Sequence, residues 1–447
     1  MKIEKLGKNH RKEVIGGLIV ISVIGILVVN LTKAKYQGIE DIKLVEGNIN
    51  YKPYDFKMMA MYKSDDGTNY TEIDKTPRSN YKINEEKSYC TLNNVDKDNS
   101  ARIYTDRFGH HVFNNLSKNS KCYIWFDKNT EVVNTVLGNI EVNNYIPDFS
   151  EAATTDEGIF EYKGSDYSEG NKPIYYYRGD INNNWLVYGR DNEKYIWWRI
   201  IRTNSNGSIR VIYAGTSNSL TVSPNPKSEG TQIGSSSFNS NRSDNMYVGL
   251  KYTSGNTHGK TNNSTIIETI NKWYEDLINN NKINSTYIDN RAGFCGDRTN
   301  NVSTSLAPMV NSGGGIGNII THYGSKYRNE IKKEPTLSCF NKDDIYNIPV
   351  GLITADELAI TGAVWLYKNP NHWLNTNQAY WTMSPVSFDY NVNNIAMAYV
   401  SAMFENGVLS SNNVKNSWGI RPVINLSSEI KISKGKGTIN DPYIVSE

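Results

Sequence analysis

The chain has 447 residues, enough for two or three domains, because single hydrophobic cores seldom grow beyond roughly 250–300 residues. Its 48 lysines and arginines stand against 46 aspartates and glutamates, a balance of +2, which argues against the broad cationic surface that wraps a polynucleotide, so no nucleic-acid partner is expected. The 30 tyrosines and 9 tryptophans, set among many Asn, Ser and Thr, suit β-rich domains with polar loops rather than a disordered chain.

Residues 14–31, VIGGLIVISVIGILVVNL, carry no charge, and at about 1.5 Å per residue they predict a transmembrane helix. Lys2, Lys5, Lys8, Arg11 and Lys12 precede this run, so the positive-inside rule puts residues 1–13 in a cytoplasmic tail. The expected topology is single-pass at the cell membrane, with the bulk of the chain extracellular. A cleaved signal peptide is the rival reading, but the apolar run exceeds the roughly 7–15 residues of such a segment.

Residues 50–130 read as short strands separated by turn clusters such as Ser64-Asp65-Asp66-Gly67, which predicts a small β-sandwich. The polar stretch 131–172 reads as a linker, and residues 173–447 as a second domain. Within the latter, Asn204-Ser205-Asn206-Gly207 separates two alternating apolar runs and predicts a hairpin. Residues 220–263, rich in Ser, Asn, Gly and Thr, read as a surface loop or insertion. Helices are predicted from Thr265, where Thr265 and Glu268 match a capping box, and from Thr354 to Gly362, where Thr354 and Glu357 do so again. The four cysteines fall in two pairs, Cys90 with Cys122 and Cys295 with Cys339, each open to a disulfide or to two unpaired thiols.

The segment Phe113–Phe126, a leucine and a tight turn before an alternating strand with a tyrosine, resembles the fibronectin type III pattern. Further on, Trp198-Arg199-Ile200-Ile201-Arg202, Gly293-Phe294-Cys295-Gly296-Asp297-Arg298, Tyr380-Trp381-Thr382-Met383-Ser384-Pro385 and Gly419-Ile420-Arg421-Pro422-Val423-Ile424-Asn425-Leu426 follow in order. These blocks resemble a family of membrane-anchored surface proteins of low-GC bacteria, which has no established activity. The last of them are similar to C-type-lectin-like modules. The resemblance implies an N-terminal transmembrane helix, an all-β sandwich and an α+β C-type-lectin-like domain.

The function expected on this reading is that of a membrane-anchored extracellular binding or adhesion protein, presenting a lectin-like head to glycans or host proteins. The alternatives are an extracellular enzyme of unrecognised chemistry on a formylglycine-generating-enzyme-like fold, drawing on Asp356 and Glu357, or a passive envelope component. Ligand-binding candidates are Arg178 and Asp180, which with Gly179 spell the integrin tripeptide, and the aromatic residues Trp373, Tyr390 and Trp418, for which core packing is the competing explanation. Asn369-Pro370-Asn371 resembles the calcium loop of sugar-binding lectins, but Asp389 is the one acid near it in sequence, so an ordinary turn is favoured. No catalytic residue, resident cofactor or transition-metal site is expected.

Overall fold

The computed structural model describes residues 56–446, apart from 78–79, 93, 107–108 and 301–313. The chain divides after Asn129 into two units. The smaller contains β1 (Phe56–Ser64), β2 (Thr71–Ile73), β3 (Tyr81–Ile83), β4 (Tyr89–Leu92), β5 (Asp96–Lys97), β6 (Arg102–Thr105), β7 (His111–Asn114) and β8 (Ser120–Lys128). Its main sheet runs β2-β1-β8-β4-β5, with β3 also on β8, while β6 and β7 pair apart from it. The period of two in β8 sends Cys122, Ile124 and Phe126 into a core shared with Ile83, Cys90, Ile103 and Phe113. On the opposite face Tyr62, Trp125, Tyr89 and Tyr123 stack in a row across three strands, with centroids 5.0, 5.9 and 5.2 Å apart. Cross-strand pairs of this kind contribute roughly 0.2–1 kcal/mol each. Cys90 and Cys122 lie opposite one another on β4 and β8 and form a disulfide.

The larger unit opens with β9 (Thr130–Thr135), β10 (Gly138–Asn143) and β11 (Asp156–Tyr162), which apart from Thr130 lie within the stretch expected to be a linker. Apolar residues are sparse there, but Val133, Ile140, Val142 and Ile159 fall on one side and pack against the core. Next come β12 (Ile174–Gly179), β13 (Trp185–Asp191), β14 (Lys194–Thr203) and β15 (Ile209–Ser217). The predicted hairpin joins β14 to β15, from Tyr195 opposite Ser217 to Thr203 opposite Ile209. Its turn places Gly207 at φ +87°, where side chains are disfavoured.

The expected loop at 220–263 contains β16 (Ser235–Ser237), β17 (Lys251–Tyr252) and β18 (Asn262–Asn263). It also buries Phe238, Val248 and Leu250 completely. Three apolar anchors in a polar background suffice to draw that segment into the core. After α1 (Thr265–Asn279) come β19 (Phe294–Cys295), β20 (Thr321–His322), β21 (Ile345–Tyr346), β22 (Val350–Gly351) and α2 (Ala355–Ile360). The remaining strands are β23 (Tyr380–Tyr390), β24 (Ala396–Met403), β25 (Leu409–Asn413), β26 (Ser417–Gly419), β27 (Val423–Leu426), β28 (Lys431–Lys434) and β29 (Tyr443–Ser446).

Two sheets dominate this unit. One runs β22-β27-β15-β14-β12-β11-β10-β9, with β13, β29 and β28 attached through β14; the other runs β16-β26-β23-β24-β25, with β20 on β23. The N-cap of α1 is Ser264, one residue before the predicted position, and its hydroxyl donates to the Leu250 carbonyl instead of capping the helix. At α2 the predicted capping box is present, Thr354 Oγ1 accepting from the Glu357 amide and the Glu357 carboxylate accepting from the Thr354 amide.

One expectation about topology is corrected. Among the described residues no helix is long and apolar enough to cross a membrane. Residues 1–13 and the apolar run 14–31 lie outside the described residues, so nothing in the structure supports the transmembrane helix as an element of the fold.

Candidate functional site

Arginines inside apolar strands must find partners as they are buried. Arg202 of β14 donates from Nε to Glu357 Oε1 and from Nη1 to Asp166 Oδ2, both at 2.9 Å. Arg210 of β15 brings Nε to 2.6 Å from the same Glu357 oxygen, an ion pair without hydrogen-bond alignment. Two cations therefore meet two carboxylates, and this group is formally neutral. Burial alone would raise the Glu357 pKa, but Arg210 and Arg202 outweigh it and hold the carboxyl below its ordinary value. Asp166 is lowered likewise, burial being overcome by Arg202 and by hydrogen bonds from Ser205 and Ser168.

Beside this group the count differs. Arg328, in the π-helical turn Tyr327–Lys332, donates from Nε and Nη2 to the two Asp356 oxygens, each at 2.9 Å, and from Nη1 to Asp297 Oδ2 at 2.8 Å. One guanidinium serves two buried carboxylates, and one formal negative charge is left over. Among the described residues Asp297 Oδ1 accepts only the Thr299 amide, and Asp356 Oδ2 accepts only Arg328.

A crevice of ≈ 300 Å³, its open mouth included, lies against these groups. Tyr167, Asp297, Arg328, Asp356, Glu357 and Ser384 form its floor and walls. The Tyr167 hydroxyl is fully enclosed and has no hydrogen-bond partner among the described residues, and burial pushes its pKa up.

A strap, residues 333–341, closes one side. Thr336 donates its amide to Asp356 Oδ1 at 3.0 Å, Leu337 donates its amide to the Tyr162 hydroxyl at 3.2 Å, and Phe340 lays its ring 5.0 Å from the Arg328 guanidinium. A disulfide from Cys339 to Cys295 of β19 ties the strap down.

Asp356 and Glu357, singled out from sequence for the enzyme alternative, line this crevice, but the ligand-binding candidates do not converge on it. Arg178 is buried, ion-paired through Nε to Glu157 at 2.7 Å, and donates to the carbonyls of Ala359, Ile360, Asp148 and Glu151. Its guanidinium is therefore not displayed beside Asp180, which is exposed. Trp373 meets this corner through its amide, bonded to the Gly179 carbonyl, but its ring is buried 4.8 Å from the Arg199 guanidinium. Tyr390 and Trp418 lie near opposite ends of β23. The Tyr390 hydroxyl donates to the Asn318 carbonyl, and Trp418 stacks on Trp381 at 5.4 Å.

The Asn369-Pro370-Asn371 loop gives no room to calcium. The Lys227 ammonium already donates to the carbonyls of Pro370 and Asn375, at 3.0 and 2.7 Å. Among the described residues no group of three His, Cys, Asp or Glu side chains could hold a metal ion.

Sequence reasoning missed Asp166, Tyr167, Arg202, Arg210, Asp297 and Arg328 as members of one site. A usable signal was present: Arg202 and Arg210 each interrupt a run of β-branched and aromatic residues, where a charge must be buried and matched.

Comparison with known proteins matched no family model, no curated protein and no solved structure. The resemblance to membrane-anchored surface proteins, with its fibronectin-like and lectin-like domains, is therefore not upheld. The extracellular adhesion function, the glycan or host-protein partner, the membrane attachment and the cell-surface location rested on that resemblance and on residues 14–31. With neither supported by the comparisons or by the described residues, those expectations are withdrawn.

Proposed function

We propose that the larger unit is a ligand-binding module whose crevice takes the primary ammonium head of a small amine. The observation that carries this is the surplus carboxylate: Arg328 faces both Asp297 and Asp356, so the site holds one formal negative charge for which the described residues supply no cation. An uncompensated buried charge costs several kcal/mol, which a bound monocation offsets. The free space suits a water-sized head with three N–H donors, and Asp297 and Asp356 offer acceptors.

Acid-base catalysis fits less well. A general acid at neutral pH needs a carboxyl raised toward 7, whereas Glu357 is held low between two arginines.

The test is calorimetric titration of the full chain with methylammonium chloride, with tetramethylammonium chloride as the size and donor control. Methylammonium is expected to bind with a millimolar Kd, about 4 kcal/mol. Tetramethylammonium, which cannot donate, is expected to give no heat, and Asp297→Asn to weaken methylammonium binding at least tenfold. Equal responses to the two salts would refute the proposal.

A further inference from the structure

We infer that the Cys295–Cys339 disulfide is a redox latch that holds the strap 333–341 across the crevice, so that its reduction widens the mouth and tightens the binding shown by the disulfide-closed chain. The latch deepens the amine-binding reading and rests on it only for the identity of what enters.

The strap is a short segment slung between two fixed points. At one end Lys333 leaves the π-helical turn at φ +56°, a left-handed conformation, and donates its ammonium to the Asn329 carbonyl. At the other, Asn341 caps the turn Lys342–Asp344, and Asp344 accepts both the backbone amide and the side chain of Arg298. Between these points the strap is held by the buried side chain of Leu337, by the Thr336, Leu337 and Ser338 hydrogen bonds, and by one covalent bond. That bond meets the crevice directly, since Cys295 lines it beside Asp297. With the disulfide intact, the strap edge formed by Thr336, Leu337 and Ser338 stands against the space an ammonium head would enter.

Exposure makes this disulfide the one open to exchange. Cys339 is half-buried, whereas Cys90 and Cys122 of the smaller unit are 1 % and 0 % exposed. A thiolate of a dithiol attacks Cys339 Sγ, the S–S bond breaks, and Cys295 leaves as a thiolate that takes up a proton. The second thiol of the reagent then attacks its own sulfur in the mixed disulfide and releases Cys339, which is protonated in turn. The dithiol is oxidised to a cyclic disulfide by two electrons, and the protein ends with two thiols.

The experiment treats the full chain, without denaturant, with graded dithiothreitol, followed by iodoacetamide and mass mapping, backbone hydrogen exchange and methylammonium titration. Cys295 and Cys339 are expected to alkylate at dithiothreitol concentrations that leave Cys90 and Cys122 protected. The amides of Thr336, Leu337 and Ser338 should exchange roughly 100-fold faster while the rest of the unit is unchanged, because removing a cross-link frees local opening. The Cys295→Ala/Cys339→Ala variant should reproduce the exchange of the reduced chain.

If strap exchange does not change on reduction, if it rises only together with the whole unit, or if methylammonium binds equally tightly before and after reduction, the latch is overturned and amine binding stands. If the strap loosens but methylammonium binds in neither state, the latch is supported and the amine reading fails. If Cys90 and Cys122 react first, the latch is also overturned.

Discussion

Glu357→Gln removes one charge from the middle of the buried network and leaves its shape intact. Glu357 is 2 % exposed, and it is the acid on which Arg202 and Arg210 converge, at 2.9 and 2.6 Å. With charge centres about 4 Å apart and an effective dielectric constant near 20, each pair is worth about 4 kcal/mol in gross attraction. The amide still accepts one hydrogen bond, and Arg202 retains Asp166. Among the described residues Arg210 keeps only neutral partners, the Gly293 carbonyl, the Asn425 side chain and the Phe294 ring.

Breaking a buried pair from one side costs roughly 3–5 kcal/mol. At about 2 °C per kcal/mol for a unit of this size, the calorimetric Tm should fall by about 6–10 °C. Glu161→Gln, which breaks an exposed pair with Lys163 at 2.8 Å, is the control and should cost under about 1 kcal/mol. Adding Arg210→Met to Glu357→Gln should cost less than the two single changes summed, since both remove the same contact. A Glu357→Gln loss no larger than the control's would refute the view that this network ties the large sheet to α2.

Other outcomes follow from single contacts. His372 is wholly buried, donates from Nε2 to the Thr361 carbonyl and accepts the Leu374 amide at Nδ1; burial, with Arg178, Lys227 and Arg199 nearby, lowers its pKa to about 3. The unfolded chain takes up this proton near 6.5, so stability is full above that pH and falls as pH drops toward 3, by on the order of 3–5 kcal/mol; His372→Gln should flatten the urea-midpoint profile between pH 6.5 and 4.5, and an unchanged slope would count against it. Gly179→Ala places a Cβ 1.9 Å from the Thr155 carbonyl oxygen at φ +99°, and should cost more than about 3 kcal/mol in urea unfolding. Thr354→Ala removes the α2 cap and should cost about 1 kcal/mol by the same measure.

Local chemistry was the legible part of the sequence. The Asn-Gly turn between β14 and β15 and the Thr354–Glu357 capping box are decided by neighbours a few residues apart, and both are where the residue pattern puts them. Segments whose burial depends on distant partners were not legible. β9 to β11 look like a linker because their polar residues outnumber Val133, Ile140, Val142 and Ile159, whose value appears only when the sheet is assembled. The site fails for the same reason. Arg202 and Glu357 are 155 positions apart, and nothing local to either names the other. Arg178 drew attention through the integrin tripeptide and Trp373 as an aromatic residue, but the core claims both.

The place of β27 bears on how the chain comes off the ribosome. It lies between β15 and β22 in the large sheet, pairing Ile209 with Leu426 and Ile212 with Val423. After β15 emerges, roughly 200 more residues must be made before its partner exists, about 10–40 s at ordinary rates of translation. For that interval Ile209, Val211 and Ile212, all destined for complete burial, present an open apolar edge to any other nascent strand. Slow codons or crowded polysomes upstream of β27 would lengthen the exposure and favour intermolecular pairing over the native one.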